Sequence, residues 1–241
     1  MNQDLETLIM DKIMKDIELG IYKPKDKLIS ENILAEKYRV PRITIRRVYD
    51  KLLEMGYIYS IQGKGRYVKE RQKSLELVIN GNESFSEKMK NKGYDIISQN
   101  ILCEKVLYNS TIYEELEINK ESEVYKIVRT RKIKDTIIAI HSSYVSKGLF
   151  KDIEKEGKNI TSMFKYYKEK GYREFNSSKS ILSVTFPDKE EREIFECPSL
   201  IPLIVLESNC VDKFTNKVLE YTKIIYRSDC FKYIIKESQG I

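Results

Sequence analysis

Hydrophobic side chains at Leu5, Leu8, Ile9, Ile13 and Ile17 recur at the spacing of one helix face, and Gly20 stands where a left-handed cap closes a helix. The pattern predicts a first helix from Asp4 to Glu18. A loop with Pro24 leads to Ser30, whose hydroxyl suits the N-cap of a short second helix that starts at Glu31 and carries Ile33, Leu34 and Tyr38 on one face. After the Val40-Pro41 turn, Ile45, Val48, Leu52 and Leu53 mark the inner face of a third helix that ends at Gly56, with Pro41 at its first position. Arg42, Thr44, Arg46 and Arg47 fall opposite that face, near the N-terminal half.

From Tyr57 the period drops from about 3.6 residues to about 2. Residues 57–61 read as a strand, Gly63-Lys64-Gly65 as a turn and 67–69 as a return strand, a hairpin with Lys64 and Arg66 at its tip. Two helices, a tight turn, a basic helix and a basic hairpin in this order describe a winged helix–turn–helix. Such a reader sets its third helix against the major groove and phosphates, and a basic wing tip fits a minor groove.

Past residue 70 a polar, basic connector contains one apolar patch, Leu75 to Ile79, that reads as a short strand. A helix begins near Ser84 with Phe85 and Met89 inward and Gly93 closing it. Alternating strands are expected at 124–133, 137–145, 181–186, 203–211 and 218–227, with short helices at 111–116, 161–170 and 188–195. Thr111 with Glu114, and Asp188 with Glu191, have capping-box spacing. The fold class expected is α+β, with 1–70 a winged helix–turn–helix domain, 71–83 a linker and 84–241 a second domain.

Composition narrows the function. The 241 residues are 41% hydrophobic and 33% charged, an ordinary globular balance. No run approaches the roughly 18 apolar residues of a membrane span, and the acidic N-terminus is unlike a signal peptide, so a cytoplasmic protein is expected. Four scattered cysteines and a single histidine, His141, offer no metal frame and no obvious general base; no cofactor, metal or catalytic group is expected. Residues 1–73 hold 16 Lys and Arg against 11 Asp and Glu, and within them 39–73 hold 10 against 3. That excess is either a solvated surface or a footprint for a phosphate backbone, and the helix pattern beneath it favours the second.

The stretch from Ile17 to Val68 resembles the winged helix–turn–helix domain of GntR-type bacterial transcription regulators, through Gly20, Pro24, Asp26, Leu28, Ser30-Glu31, Leu34-Ala35, Val40, Arg42, Thr44, Arg46, Leu52, Gly56 and Gly63-Lys64-Gly65. The resemblance implies DNA contact by Arg42, Thr44 and Arg46 and by the wing, Gly63, Lys64, Gly65 and Arg66; Arg47 joins them from its exposed helix position. Lys25 replaces the family's usual Gly, Ile29 its Pro, Asn32 a DNA-contacting Arg and Pro41 a capping Ser.

Residues 84–235 resemble the UTRA ligand-sensing domain of the HutC branch, through Gly93-Tyr94, Arg129-x-Arg131, Ser143-Tyr144, Ser162-Met163-Phe164 and the closing VLEYTKIIYRSDCFKY. The resemblance implies a chorismate-lyase-like α+β fold and an effector pocket drawn from Arg129, Arg131, His141, Ser143, Tyr144, Ser162, Glu220 and Tyr226, with His141 in place of a common Glu. From the residues alone the roles stay open. Arg129 and Arg131, two apart on a strand, share a face and can grip a phosphate or carboxylate, or they face solvent and pair with Glu121 or Glu123. Ser162 presents its hydroxyl to an anion or is a plain N-cap. Glu220 with Tyr226 binds sugar hydroxyls or forms an edge-strand pair; His141 packs at the core edge or lines the pocket; Arg227 with Asp229 reads as a structural ion pair.

The reading is a homodimeric, ligand-responsive repressor that meets a palindromic operator in double-stranded DNA and controls a carbohydrate uptake or catabolic operon, with a phosphorylated sugar as effector. Its rivals are an enzyme of chorismate-lyase-like fold acting on a small carboxylate, and a DNA-binding regulator without a small effector.

Overall fold

The computed structural model describes residues 2–70, 75–78 and 85–234. Its elements run α1 (Asn2–Glu18), α2 (Glu31–Tyr38), α3 (Arg42–Glu54), β1 (Ile58–Ile61), β2 (Gly65–Val68), β3 (Leu75–Val78), α4 (Phe85–Asn91), β4 (Ile97–Val106) and α5 (Ser110–Glu115). They continue with β5 (Val124–Ile133), β6 (Thr136–Ser146), α6 (Ile153–Glu156), α7 (Met163–Glu169), β7 (Phe175–Asn176), β8 (Ser180–Thr185), α8 (Lys189–Phe195), β9 (Leu203–Asp212), β10 (Val218–Arg227) and β11 (Phe231–Ile234). The chain forms two compact units, one holding 2–70 with Phe186–Ile201, the other 75–185 and 202–234. Most of the expected connector, and the expected helix start at Ser84, lie outside the described residues.

In the first unit α1, α2, α3 and the hairpin close around Ile9, Ile13, Leu34, Ile45, Val48, Leu52, Ile58 and Val68. Ser30 caps α2, its hydroxyl accepting from Ile33 N at 3.4 Å. Pro41 is the N-cap of α3 rather than its first residue, and offers no side-chain cap. Ile33, expected inward, is 60% exposed; Leu34 and Ala35 take the buried side of α2. Leu200 N donates to Glu54 O at 3.2 Å, and Ile201, 2% exposed, packs against Gly56, which holds φ +74°.

In the second unit a seven-stranded antiparallel sheet has the order β4-β5-β6-β10-β9-β7, with β8 also on β9; β3 and β11 pair in parallel beside it. The strands at 124–133 and 218–227 fall where alternation placed them. β4 was not expected, because a register irregularity between Asn100 and Leu102 interrupts its alternation. Asp188 and Glu191 form the full capping box, whereas α5 is capped by Asn109 rather than by Thr111. One sheet face packs on α6 and α7 through Ile127, Val145, Phe150, Tyr166 and Tyr167. Across the sheet, Tyr113, Leu116, Val124 and Tyr221 form a separate cluster with Tyr144.

Candidate nucleic-acid interface and effector site

Residues of α3 divide by helical phase. Thr44, Ile45, Val48, Tyr49 and Leu52 are buried, leaving Arg42, Ile43, Arg46, Arg47 and Asp50 outward. Thr44, expected on the exposed face, is only 4% exposed. It stands four residues before Val48 and therefore shares its stripe. Each outward arginine already faces a carboxylate: Arg42 Nε lies 2.8 Å from Glu31, Arg46 Nε 3.9 Å from Asp50, and Arg47 Nη1 3.4 Å from Glu6. Burial pushes the Glu31 carboxyl up, but hydrogen bonds from Arg66 and Arg42 outweigh it and hold the group below its usual range.

Gly63 and Gly65 hold positive φ at the hairpin turn, and Lys64 between them is exposed. Arg66 is not at the tip. It lies on β2, with one guanidinium nitrogen on Glu31 and the other 2.9 Å from Asp50. Glu31 and Asp50, absent from the expected set, thus bridge wing, α2 and α3; their pairing spans 16 to 35 residues and leaves no local signal.

The effector residues gather on the sheet face that α7 covers. Arg129 and His141 are register partners on β5 and β6. Arg129 donates to Ser143 Oγ and lies 4.0 Å from Glu220. Arg131 Nη1 donates to the Thr161 carbonyl at 2.9 Å. Both arginines are 3% exposed, so the solvent-facing alternative fails; Glu123 instead meets Lys105 and Lys147. Tyr167, missed in the sequence because it reads as core, donates to Glu220 at 3.0 Å. Asn100 on β4 ties the segment before α7 to the sheet, donating to the Gly157 and Ile160 carbonyls at 2.8 Å each. Ser162 acts as the N-cap of α7, accepting from Lys165 N. Tyr226 and Phe85 flank His141 with ring centroids 5.9 and 5.0 Å away.

Tyr144 is not in this cluster. As the neighbour of Ser143 on a strand it points to the other face, where it stacks on Tyr221 at 5.7 Å. Arg227 pairs with Asp229 at 2.8 Å, as expected of a structural ion pair.

Electrostatically the cluster is lopsided. Burial, reinforced by Arg129, brings Arg131 down to about 9, so it stays charged at neutral pH. Burial raises Glu220, with Arg129 opposing, while burial and both arginines drive His141 well below its usual value. Arg129 Nε, Arg131 Nε and His141 Nε2 are buried without a hydrogen-bond partner. Two buried cations share one carboxylate.

A winged helix–turn–helix with basic side chains on its third helix, and a sheet domain with a polar cluster, define a ligand-responsive DNA reader. The UTRA domain family matches residues 91–232 and the family described as bacterial regulatory proteins, gntR family, matches 5–68. The chain belongs to the GntR family of transcription regulators with a UTRA sensor, the HutC branch. It is similar to the mannosyl-D-glycerate transport/metabolism system repressor MngR of Escherichia coli K12, 25% identical over 94% of this chain and 93% of that one. The HTH-type transcriptional regulator YurK of Bacillus subtilis 168 is 30% identical over 77% and 76%. The crystal structure of PhnF from Mycobacterium smegmatis shares the fold, with a TM-score of 0.62 at 14% identity over 97% of this chain and 99% of that one. The chain is a regulator that binds DNA through its head and an effector through its sensor domain, and not an enzyme. Among the described residues no helix is long and apolar enough to cross a membrane.

Proposed function

We propose that the protein is a cytoplasmic, homodimeric repressor of a carbohydrate uptake or catabolic operon, released from a palindromic operator by a phosphorylated sugar. Arg42, Arg46, Arg47 and Lys64 offer the cations that phosphates and base edges need. Two copies of the head match two half-sites by symmetry. MngR, whose name gives it as a mannosyl-D-glycerate system repressor, supports a carbohydrate role, as does the probable fructoselysine utilization operon transcriptional repressor of Shigella flexneri, 23% identical over 95% of this chain.

The observation that carries the effector class is the pair of buried arginines with unpartnered Nε atoms. Burying two like charges against one carboxylate is costly, and an anion with several acceptor oxygens offsets that cost through forked, charge-assisted hydrogen bonds. Because Arg129 and Arg131 are 3% exposed, the anion enters only when a covering segment moves, such as that of Thr161, whose carbonyl accepts from Arg131. That movement is where ligand energy can bias one state over another.

The test is a gel shift with sugar phosphates and their unphosphorylated sugars, after a thermal-shift screen to find the binder. Release by the phosphate form alone is expected, and Arg131→Ala is expected to abolish release while operator binding persists. An uncharged inducer, or normal release of Arg131→Ala, would sink the anion site.

A further inference from the structure

The loop before α2 runs antiparallel beside β2 of the wing. Lys25 N donates to Val68 O, Leu28 N to Arg66 O and Val68 N to Asp26 O, each at 2.9 Å, and Lys27 pairs with Tyr67 in an antiparallel bridge. This sets the exposed Lys27 beside the turn, its Cε 3.0 Å from where a Cβ on Gly65 would stand. Nothing in the local sequence marks Lys27, since the bridge joins positions far apart. It has no ion-pair partner among the described residues.

Arg66 is held differently. Its side chain is 19% exposed, its two terminal nitrogens sit on Glu31 and Asp50, and its guanidinium lies 5.1 Å over the Tyr49 ring. Tyr49 in turn donates to the Ile29 carbonyl at 2.6 Å. A backbone phosphate competes well for a cation that is exposed, and poorly for one that is covered and held by two carboxylates at once. Lys27 and Lys64 meet the first condition; Arg66 would have to surrender two carboxylates. What Arg66 does have is a planar fork joining β2 to the first residue of α2 and to the middle of α3, which fixes the wing's angle to the recognition helix.

We propose that Lys27 is the wing's second phosphate contact beside Lys64, and that Arg66 is a positioning residue that touches no DNA. The proposal rests on the docking given under the proposed function, with the wing against the duplex. The probe is a duplex that the unaltered full chain selects from a random-sequence pool, with log affinity measured against log salt.

Lys27→Gln and Lys64→Gln are each expected to flatten the slope by about one unit. Arg66→Lys keeps the charge but loses the fork, so affinity is expected to fall by about tenfold on a line parallel to that of the unaltered chain. A flattened slope for Lys64→Gln with none for Lys27→Gln overturns the assignment of Lys27. An Arg66→Lys protein that binds as the unaltered chain does overturns the positioning role, since a point charge would then suffice. If neither lysine variant changes the slope, the wing does not meet DNA, and the docking falls together with this proposal. Both lysines are exposed, so their variants test the idea even if Arg66→Lys folds poorly.

Discussion

On α3 the side chains of Arg42, Arg46 and Arg47 are 68, 64 and 64% exposed, although two of the carboxylates they meet, Glu31 and Glu6, are largely covered. On β5, Arg129 and Arg131 are 3% exposed; Arg129 lies beside Glu220, and Arg131 donates to the Thr161 carbonyl. The same side chain is therefore kept available in one unit and committed in the other. Water solvates these exposed guanidiniums and screens their ion pairs, so a phosphate can compete for them at little cost. Inside the sheet domain no water compensates, and every guanidinium nitrogen without an acceptor is a standing cost that a ligand can relieve.

Removing one carboxylate from each unit sharpens this contrast most. Glu220→Ala leaves Arg129 buried without its counter-charge and is expected to destabilise the sheet domain by about 3 to 5 kcal/mol. Glu31→Ala, where Arg66 keeps Asp50, is expected to cost about 1 kcal/mol or less. Native-state hydrogen exchange reads each loss at its own strands or helices; equal losses would break the comparison.

A second change tests where the boundary between the units falls. Ile201 is far along the chain from α3 yet is packed under Gly56 at 3.1 Å from a Cβ position there. Ile201→Ala is expected to destabilise by about 2 to 5 kcal/mol, as a buried aliphatic truncation does. The protection lost in hydrogen exchange is expected in α3 and β1. Loss confined to β9 would remove 186–201 from the first unit.

Sequence periodicity carried the strands at 124–133 and 218–227 and the three helices of the head because each has one continuous buried face. It failed where neighbours distant in sequence decide. Thr44 reads as polar and outward, but the stripe it shares with Val48 is buried under the rest of the head. Tyr144 enters the pocket set with Ser143 through the family resemblance, although adjacent strand residues face opposite ways. Arg129 and Arg131 read as sharing one face, but their burial goes with contacts distant in sequence, to Ser143, Glu220 and the Thr161 carbonyl, which no local pattern reveals. Glu31, Asp50, Tyr167 and Lys27 acquire their roles only through contacts across the fold.

The third effect separates the units by pH. His141 is the chain's single histidine, and its folded value lies well below 6.5. As pH falls below about 6.5 the unfolded chain takes up a proton that the folded chain refuses, so stability present above 6.5 is lost on acidification. Glu220, raised by burial, acts in the opposite sense above its unfolded value near 4.5, so the histidine is read by difference. Between pH 6.5 and 5.5, the unaltered protein is expected to lose about 1 kcal/mol more than His141→Gln in urea unfolding. Glu31, lowered in the head, contributes stability that is lost only below about 4.5. The sheet domain is therefore expected to loosen in a pH range where the head holds; identical pH profiles for the two proteins would refute the buried neutral histidine.

The smallest effect lies in the head's own backbone. Lys25 holds φ +72°, a conformation that favours glycine. A left-handed conformation costs a residue with a Cβ about 1 to 2 kcal/mol, while glycine enters it freely at a larger entropic cost on folding. The strain is maintained because Lys25 N donates to Val68 O and Val68 N to Asp26 O, so the loop cannot relax without detaching from the wing. Lys25→Gly is expected to stabilise the head by up to about 1 kcal/mol and to leave DNA affinity nearly unchanged, since the Lys25 ammonium is paired with Glu70 at 3.2 Å. Chemical unfolding of the variant checks the gain. A loss of stability would mean that the lysine's contacts outweigh its strain, and a large loss of DNA affinity would place Lys25 beside Lys27 on the phosphate backbone.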